Sequence, residues 1–409
     1  MNKAFTACEI MLPNTEDFTS FSVIACDQFT SDANYWTELK NQVNGKLTAL
    51  DMILPEIYLS SSTEDDLVRI GNNIKEYSKS AKRLPKGLIL TIRRTPYTER
   101  RIGLIGAIDL DEYDYHKGST SLVRATEGTV EERIPPRLKI RKHADVEFPH
   151  VLVFIDDKRR EVVENVYKNR DNLQKLYDFD LNMGGGHLEG YFIKDYQPVL
   201  DMMYALLDSD RLKSKYGDVA PILMAVGDGN HSLATAKKHW SIIKEGLSEK
   251  ERLTHPARYA LVEIVNIYDE GIAFHPIYRL VKGVNREDFI KEYVNTHHGK
   301  EVLYAGSKLS FDGELSLPDT ISTCDDFIKN YIAKHGGEVD YIHGETELLS
   351  FVDGDDSAVG LLFPTLEKAE LFRYISAVGA FPKKTFSIGE AKEKRYYLEG
   401  RMIVPNKGE

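Results

Sequence analysis

The chain has 409 residues, 42% hydrophobic and 29% charged, with a formal net charge of −11, the profile of a soluble globular protein with two or three structural units and more than one core. The acidic balance carries no long basic block, which argues against a general nucleic-acid binder, because phosphate neutralisation needs clustered Lys and Arg; a locally basic pocket remains open. No apolar run approaches the roughly 20 residues that span a bilayer, no signal-peptide pattern opens the chain, and the three scattered cysteines, Cys8, Cys26 and Cys324, form neither CxxC nor zinc spacing, so a reducing cytoplasm is expected.

In chain order, Phe21–Asp27 reads as a strand, and Ser31 or Asp32 caps a helix through Tyr35, Trp36 and Leu39. Asp27 leaves the end of that strand, where α/β proteins often place site residues, or else it shapes a turn. Cys26 sits beside an acid, so nothing marks it as a reactive thiolate. Ser62 to Asp66 opens an amphipathic helix carrying Leu67, Ile70 and Ile74. Gly87–Arg93 and Ile102–Leu110 form a hairpin. Tyr113 to Lys142 reads as a polar loop rich in arginine: either a solvated face laced with weak ion pairs or an anion-binding loop. Val146–Ile155 reads as a further strand, and Asp157–Tyr177 in part as a charged helix.

Leu181 to Ile193, LNMGGGHLEGYFI, runs three glycines into His187 and Glu189 and then a strand. The glycines serve as a hinge, a lid or a plain connector. A helix opened by Pro198 follows. Next comes the stretch with the most chemistry, Val226 to His239, VGDGNHSLATAKKH. It joins an apolar strand, Pro221–Val226, to a helical pattern. A helix N-terminus behind a glycine-rich turn favours anions through free N–H groups and the dipole. Gly227 and Gly229 allow close backbone approach, and Asp228 and His231 add a carboxylate and an imidazole. Beyond it, Tyr259–Asn266, Gly271–Arg279, Ser350–Asp353 and Ala358–Phe363 read as strands, and Glu287–Val294 and Asp325–His335 as helices. The basic C-terminal stretch with Lys383, Thr385, Lys392, Lys394 and Arg395 reads as a solvated tail, or as a phosphate-facing segment folded back onto the site.

GxxxxGK[ST], a strand-borne GxGxxG, GxSxG and HExxH are all missing, which sets aside a P-loop, a Rossmann site, an α/β-hydrolase elbow and a zincin. A carboxylate, histidine and serine at a helix start, with Arg and Lys on nearby loops, suit phosphoryl chemistry better than acyl transfer.

These blocks resemble the bacterial and archaeal family labelled domain of unknown function 1015. Asp228-Gly-Asn-His-Ser resembles its DGHH-type turn; Gly103-Leu-Ile-Gly-Ala-Ile with Asp111-Glu-Tyr-Asp resembles its strand-and-acidic-turn block. Arg124, Glu127, Thr129 and Arg133 are similar to its E-x-T loop, and His187-Leu to its HxLW-like entry. His275-Pro-Ile-Tyr-Arg-Leu resembles its P-x-H-R-L block, and Pro382-Lys-Lys-Thr-Phe its P-K-S-T ending. The departures are Asn230, and Ser232 in place of the usual arginine. The turn also resembles the DGHHR-type turn of free serine kinases of the ParB/sulfiredoxin fold.

The resemblance implies an α/β (α+β) architecture of mixed sheets with flanking helices, including a ParB/sulfiredoxin-like nucleotide-binding unit. It implies ATP or ADP and Mg²⁺ as cofactors. Asp228, His231 and Glu189 would be catalytic, with Glu189 as general base and Asp228 also the metal ligand. Gly227, Gly229, Asn230, Ser232, Arg124, Glu127, Thr129, Arg133, His187, Lys383 and Thr385 would bind the cofactor. The expected division is 1–140, 141–270 with the DGNHS turn, and 271–409 folding back on the site. The expected function is a nucleotide-dependent small-molecule kinase acting on free serine or a similar hydroxyl metabolite. A non-catalytic nucleotide- or metabolite-binding regulator, favoured by Ser232, and a phosphohydrolase stand as alternatives. The expected partners are the substrate and nucleotide, with no nucleic acid and no membrane; a homo-oligomer is left open.

Overall fold

The computed structural model describes residues 4–129, 131–296, 301–304, 307–310 and 315–405. The chain divides into two units: 1–272 with 375–379 and 390–409, and 273–374 with 380–389. The stretches 1–140 and 141–270 thus share one unit rather than forming two, because their strands alternate within a single sheet.

That sheet holds ten strands: β1 Phe5–Thr6, β2 Leu88–Arg94, β3 Arg101–Asp109, β4 Tyr113–Asp114, β5 Val123–Ala125, β6 Leu152–Ile155, β7 Gln174–Leu181, β8 Gly186–Ile193, β9 Met224–Asp228 and β10 Tyr259–Asn266. Their order is β7-β8-β2-β3-β10-β6-β9-β5-β4, with β1 also on β3. Most neighbours are antiparallel; β6–β10, β5–β9 and β4–β5 are parallel. The central strands are apolar on both sides, and two cores result. On one face Leu104, Val153, Val226 and Ile264 pack with Leu233 and Trp240. On the other, Ile89, Ile105 and Leu261 pack with Trp36, Ile70 and Tyr397.

The helices begin where the local chemistry dictates. The helix α1, Ala33–Gln42, is capped by Asp32, whose carboxylate accepts the Tyr35 N–H at 3.0 Å. In α2, Glu64–Ser80, Thr63 and Asp66 form a reciprocal capping box. The Tyr113–Lys142 stretch is not one loop. It contributes β4 and β5 to the sheet and ends in α3, Ile134–Lys142, which starts on two prolines whose missing N–H groups cost nothing in a first turn. The Val146–Ile155 run is broken at Pro149: Val146–Glu147 pairs with Arg401–Met402, and Leu152–Ile155 enters the large sheet. Only α4, Val163–Lys168, is α-helical within Asp157–Tyr177; β7 begins at Gln174. The triple glycine is a tight turn joining β7 to β8, with Gly186 at φ 92°. The helix α5, Gln197–Ala205, opens at Pro198, and α6, Asn230–Glu245, follows the DGNHS turn.

The C-terminal segment staples the first unit. Tyr396–Tyr397 pairs with Val23–Ile24, and Arg401–Met402 with Val146–Glu147. Arg93 donates to the Lys394 and Lys392 carbonyls at 2.5 and 2.7 Å. Arg395 pairs with Glu263 at 2.8 Å and Glu399 at 2.6 Å, all three buried.

The second unit carries a six-stranded sheet: β11 Phe274–Lys282, β12 Glu301–Tyr304, β13 Ser307–Ser310, β14 Glu338–His343, β15 Ala358–Leu362 and β16 Phe386–Ile388. The helices α7, Arg286–Thr296, and α8, Leu317–His335, bring Phe289, Tyr293 and Phe327 into its core. The Ser350–Asp353 run read as a strand lies largely in α9, Glu345–Val352, where Leu348 and Val352 share the buried face at helical spacing. Among the described residues, no helix is long and apolar enough to cross a membrane.

Candidate functional site

The DGNHS turn is built where β9 leaves the sheet. A Cβ on Gly227 would fall 2.4 Å from the Phe154 ring, so packing within the sheet accounts for this glycine. Gly229 sits at φ +75°, and a Cβ there would meet Val151 Cα at 3.0 Å. It turns the chain into α6 in the left-handed region that glycine tolerates. The Asp228 carboxylate accepts the Gly229 N–H at 3.0 Å and lies 3.1 Å from Lys394 Nζ. The first intrahelical bond of α6 runs from the Leu233 N–H to the Gly229 carbonyl, and no side chain caps the helix. The N–H groups of Asn230, His231 and Ser232 therefore precede the ladder. Asn230 Oδ1 and Thr129 Oγ1 are buried without a hydrogen-bond partner.

The E-x-T loop leaves the sheet at the same end. β5 runs parallel to β9 with Ala125 opposite Val226, and Thr126 Oγ1 donates to the Val226 carbonyl at 2.6 Å. Glu127 to Thr129 thus emerge beside Asp228.

A second wall comes from parts of the chain far away in sequence. Leu152 lies opposite Asp228 across the antiparallel β6–β9 pair, which puts the preceding His150 at the turn. His150 Nε2 is 3.4 Å from Asp27 Oδ2, and Nδ1 is 2.7 Å from the Tyr397 hydroxyl. That hydroxyl accepts the Cys26 N–H at 3.0 Å. Burial would push the Asp27 carboxyl up. The His150 charge, hydrogen bonds from His150 and Gln28, and the Lys394 charge together hold it below the ordinary carboxylate value. Burial would lower His150, and Asp27 and Asp228 outweigh that and raise it. Cys26 is pushed up to about 12 by burial and stays a thiol.

Cations close the third side. Arg137 on α3 pairs with Glu56 at 2.8 Å and donates to the Arg133 carbonyl at 2.9 Å. Burial, then the charges of Arg137 and Arg133, pull His231 down to about 4, so it is neutral at neutral pH.

The structure therefore gathers Asp228, Gly229, Asn230, His231, Ser232, Glu127, Thr129 and Arg133 at one end of the sheet. Gly227 adjoins them at the end of β9, and within the same unit Arg124, His187 and Glu189 lie elsewhere. Arg124 is buried, and its guanidinium is spent on the Ser121, Ala220 and Pro221 carbonyls near the start of β9. His187 lies on the outer hairpin between Asp178 at 2.8 Å and Asp180 at 2.7 Å. Glu189, on the same strand, binds the Tyr191 hydroxyl at 2.6 Å and Lys175 at 3.2 Å. Four strands, β2, β3, β10 and β6, separate β8 from β9. At about 4.8 Å per strand this is roughly 24 Å, beyond the reach of a base acting at the turn. Lys383 and Thr385 belong to the second unit, where the Lys383 carbonyl lies 3.5 Å from buried Arg279 and Thr385 Oγ1 donates to the Pro382 carbonyl at 2.8 Å.

Asp27, His150, Lys394, Arg137 and Tyr397 were not among the expected site residues. Asp27 had a legible signal as an acid leaving a strand, and Lys394 lay in the C-terminal stretch read as folding back. His150 and Tyr397 carried none. Among the described residues, no group of three or more His, Cys, Asp or Glu could hold a metal by protein ligands alone.

The family model described as "Protein of unknown function (DUF1015)" matches residues 7–335, and the chain belongs to that family. No curated protein matches the chain. Among solved structures it is similar to a free serine kinase in complex with AMP, at 12% identity, with 73% of this chain and 90% of that one covered and a TM-score of 0.35. It is similar to a conserved hypothetical protein from Pyrococcus furiosus at 10% identity, covering 73% and 94%, TM-score 0.36. A third similarity is to SbnI with a C-terminal truncation from Staphylococcus aureus, at 11% identity, covering 70% and 82%, TM-score 0.34.

Proposed function

We propose that this member of the DUF1015 family is a nucleotide-dependent kinase of small hydroxyl compounds, in the class of free serine. The observation that carries the reading is the uncapped start of α6 beside the Asp228–Lys394 pair, with Asn230 Oδ1 and Thr129 Oγ1 buried and unpartnered next to it. Amides ahead of the helix ladder and a lysine suit phosphate oxygens, and a second carboxylate and an imidazole, Asp27 and His150, stand nearby.

In this reading the amides of Asn230, His231 and Ser232 and the cations of Lys394, Arg133 and Arg137 hold the phosphates of ATP or ADP. The acceptor oxygen attacks the terminal phosphorus. A new P–O bond forms, the bond to the departing nucleoside phosphate breaks, and the hydroxyl proton passes to the Asp27 carboxylate. Asp27 replaces Glu189 as the proposed base because it shares the site with Asp228. His231, neutral, donates or accepts a hydrogen bond without adding charge. Mg²⁺, when bound, would neutralise charge between phosphates. It needs only one or two protein carboxylates, and Asp228 is the residue to supply one in exchange for Lys394.

The regulator reading rests on Ser232, which stands where the resembling turns carry an arginine. One experiment separates the readings: phosphate transfer from ATP or ADP, with Mg²⁺, to a pool of serine and other alcohols. For a kinase, Asp27→Asn should retain nucleotide and lower transfer by about 10²–10⁴-fold, the usual worth of a general base. Asp228→Ala should lose transfer altogether. Nucleotide binding with neither transfer nor phosphate release would favour the regulator; release without an acceptor would favour a hydrolase. A protein that binds no nucleotide would sink the phosphoryl reading.

A further inference from the structure

His150 and Tyr397 also line an open pocket of about 160 Å³ in the first unit. Its lining is mixed. At the end shared with the site stand Cys26, His150, Tyr397, Glu56, Arg137 and Ser232. The rest of the lining is mainly aliphatic and aromatic, from Leu54, Leu59, Ile74, Ile140, Ala144 and Phe148, with Arg141, Glu147 and Thr235 among them. The pocket opens to solvent, and its volume is room for roughly one aromatic ring.

The charged groups on the wall are matched to one another. Arg137 is paired with Glu56 at 2.8 Å; Arg141 is paired with Glu147 at 2.6 Å, and Arg401 reaches the same Glu147 at 2.9 Å. Thr235 Oγ1 is committed to the His231 carbonyl at 2.7 Å. A charged group entering here would be stripped of water with no opposite charge to meet it. A nucleobase would fare little better. Its ring edge carries several donors and acceptors, whereas this wall shows one buried N–H without a partner, Arg141 Nε. An uncharged ring or branched alkyl group loses nothing on entry and gains the burial, about 25 cal/mol per Å² of apolar surface.

We propose that this cavity is a specificity subsite for an uncharged aromatic or branched apolar group, carried by a small molecule whose hydroxyl end faces Asp27 and His150. His150, Arg137 and Ser232 belong to both the pocket and the site, so one molecule reaches both. Assigning that molecule as the phosphoryl acceptor rests on the kinase reading above. It moves the acceptor from free serine, which has nothing to fill the cavity, to an aryl or branched-alkyl alcohol.

The test uses the full chain and two probes, 2-phenylethanol and L-serine, with binding followed by calorimetry in the absence of nucleotide. Ala144→Leu places three carbons into the cavity without touching Asp27, His150 or the turn. The expected result is 2-phenylethanol binding that weakens at least tenfold in Ala144→Leu. Should that variant fold poorly, Ile140→Ala enlarges the same space and should shift preference towards the larger 2-(1-naphthyl)ethanol. Unchanged 2-phenylethanol affinity in both variants, or no binding to the wild type, overturns the subsite. If Ala144→Leu instead weakens ATP or ADP while 2-phenylethanol never binds, the cavity holds the base and the proposal is wrong. A second arm measures transfer. Preference for 2-phenylethanol over L-serine, lost in Ala144→Leu, supports the acceptor assignment. Preference for L-serine that the variant leaves alone overturns that assignment. Probe binding without transfer to any alcohol leaves the subsite standing and removes the kinase reading, so the two failures are told apart.

Discussion

His231 and His239 show how residue environment becomes pH behaviour. Burial comes first in both, followed by the charges of Arg137 and Arg133 for His231 and of Arg141 and Lys142 for His239; both are pulled down from 6.5 to about 4. Each binds its proton more weakly folded than unfolded. Their neutral forms support the fold fully above about pH 6.5, and that support drains as pH falls and is spent near pH 4. The urea midpoint should therefore fall more steeply between pH 6.5 and 4.5 in the wild type than in a His231→Gln, His239→Gln double variant. Equal slopes would show that neither histidine is held neutral by the fold. Of the site residues, those in Asp228–Ser232 were legible because one short segment carries glycine, acid and imidazole together at a strand–helix junction. Asp27 announced only that an acid leaves a strand. His150 and Lys394 are ordinary in their own segments; each becomes a site residue through contact with an acid more than 100 positions away.

At the scale of elements, local chemistry decided where helices start and tertiary pairing decided which runs became strands. The Thr63–Asp66 capping box was readable, and Thr63→Ala should cost about 1 kcal/mol in chemical denaturation, the usual worth of an N-cap. Position 186 should be far less forgiving. Gly186 has φ +92°, and a Cβ there would lie 2.0 Å from the Arg94 carbonyl oxygen, which is backbone and cannot swing away. Gly186→Ala should exceed the Thr63→Ala loss by at least twofold; a smaller loss would mean that the β7–β8 turn yields. The misread elements have separate causes. Ser350–Asp353 has only four residues, and a run of that length does not separate a strand from a buried helical turn. Val146–Ile155 is mostly apolar, but Pro149 lies between two strands that pair with different partners. The polar appearance of Tyr113–Lys142 hid β5, whose three residues are buried although one of them is Arg124.

At the scale of the whole first unit, the C-terminal segment completes both the core and the site. Arg395 is buried between Glu263 on β10 and Glu399, and the Tyr177 hydroxyl donates to Glu399. Arg395→Met leaves two buried acids without their cation, and a loss of about 3–5 kcal/mol is expected, as for other broken buried pairs. Adding Glu263→Gln should recover part of it. If Arg395→Met unfolds at the wild-type denaturant concentration, the segment is held by its strand pairings and not by charge. Arg93, which grips the Lys392 and Lys394 carbonyls, links this same network to the lysine beside Asp228.

By itself, the sequence determined the mixed α/β class, most central strands, the helix caps and the turn at Asp228, because each of these depends on periodicity or on residues within a few positions. It also placed the chain near its family through blocks that are local in the same way. Only the tertiary structure decided that Glu189 and His187 stand four strands from the turn, that Arg124 serves backbone carbonyls, that Lys394 pairs with Asp228 and that His150 reaches Asp27. Strand order is set by which apolar faces bury best against one another across the whole chain, and no window of sequence contains that choice.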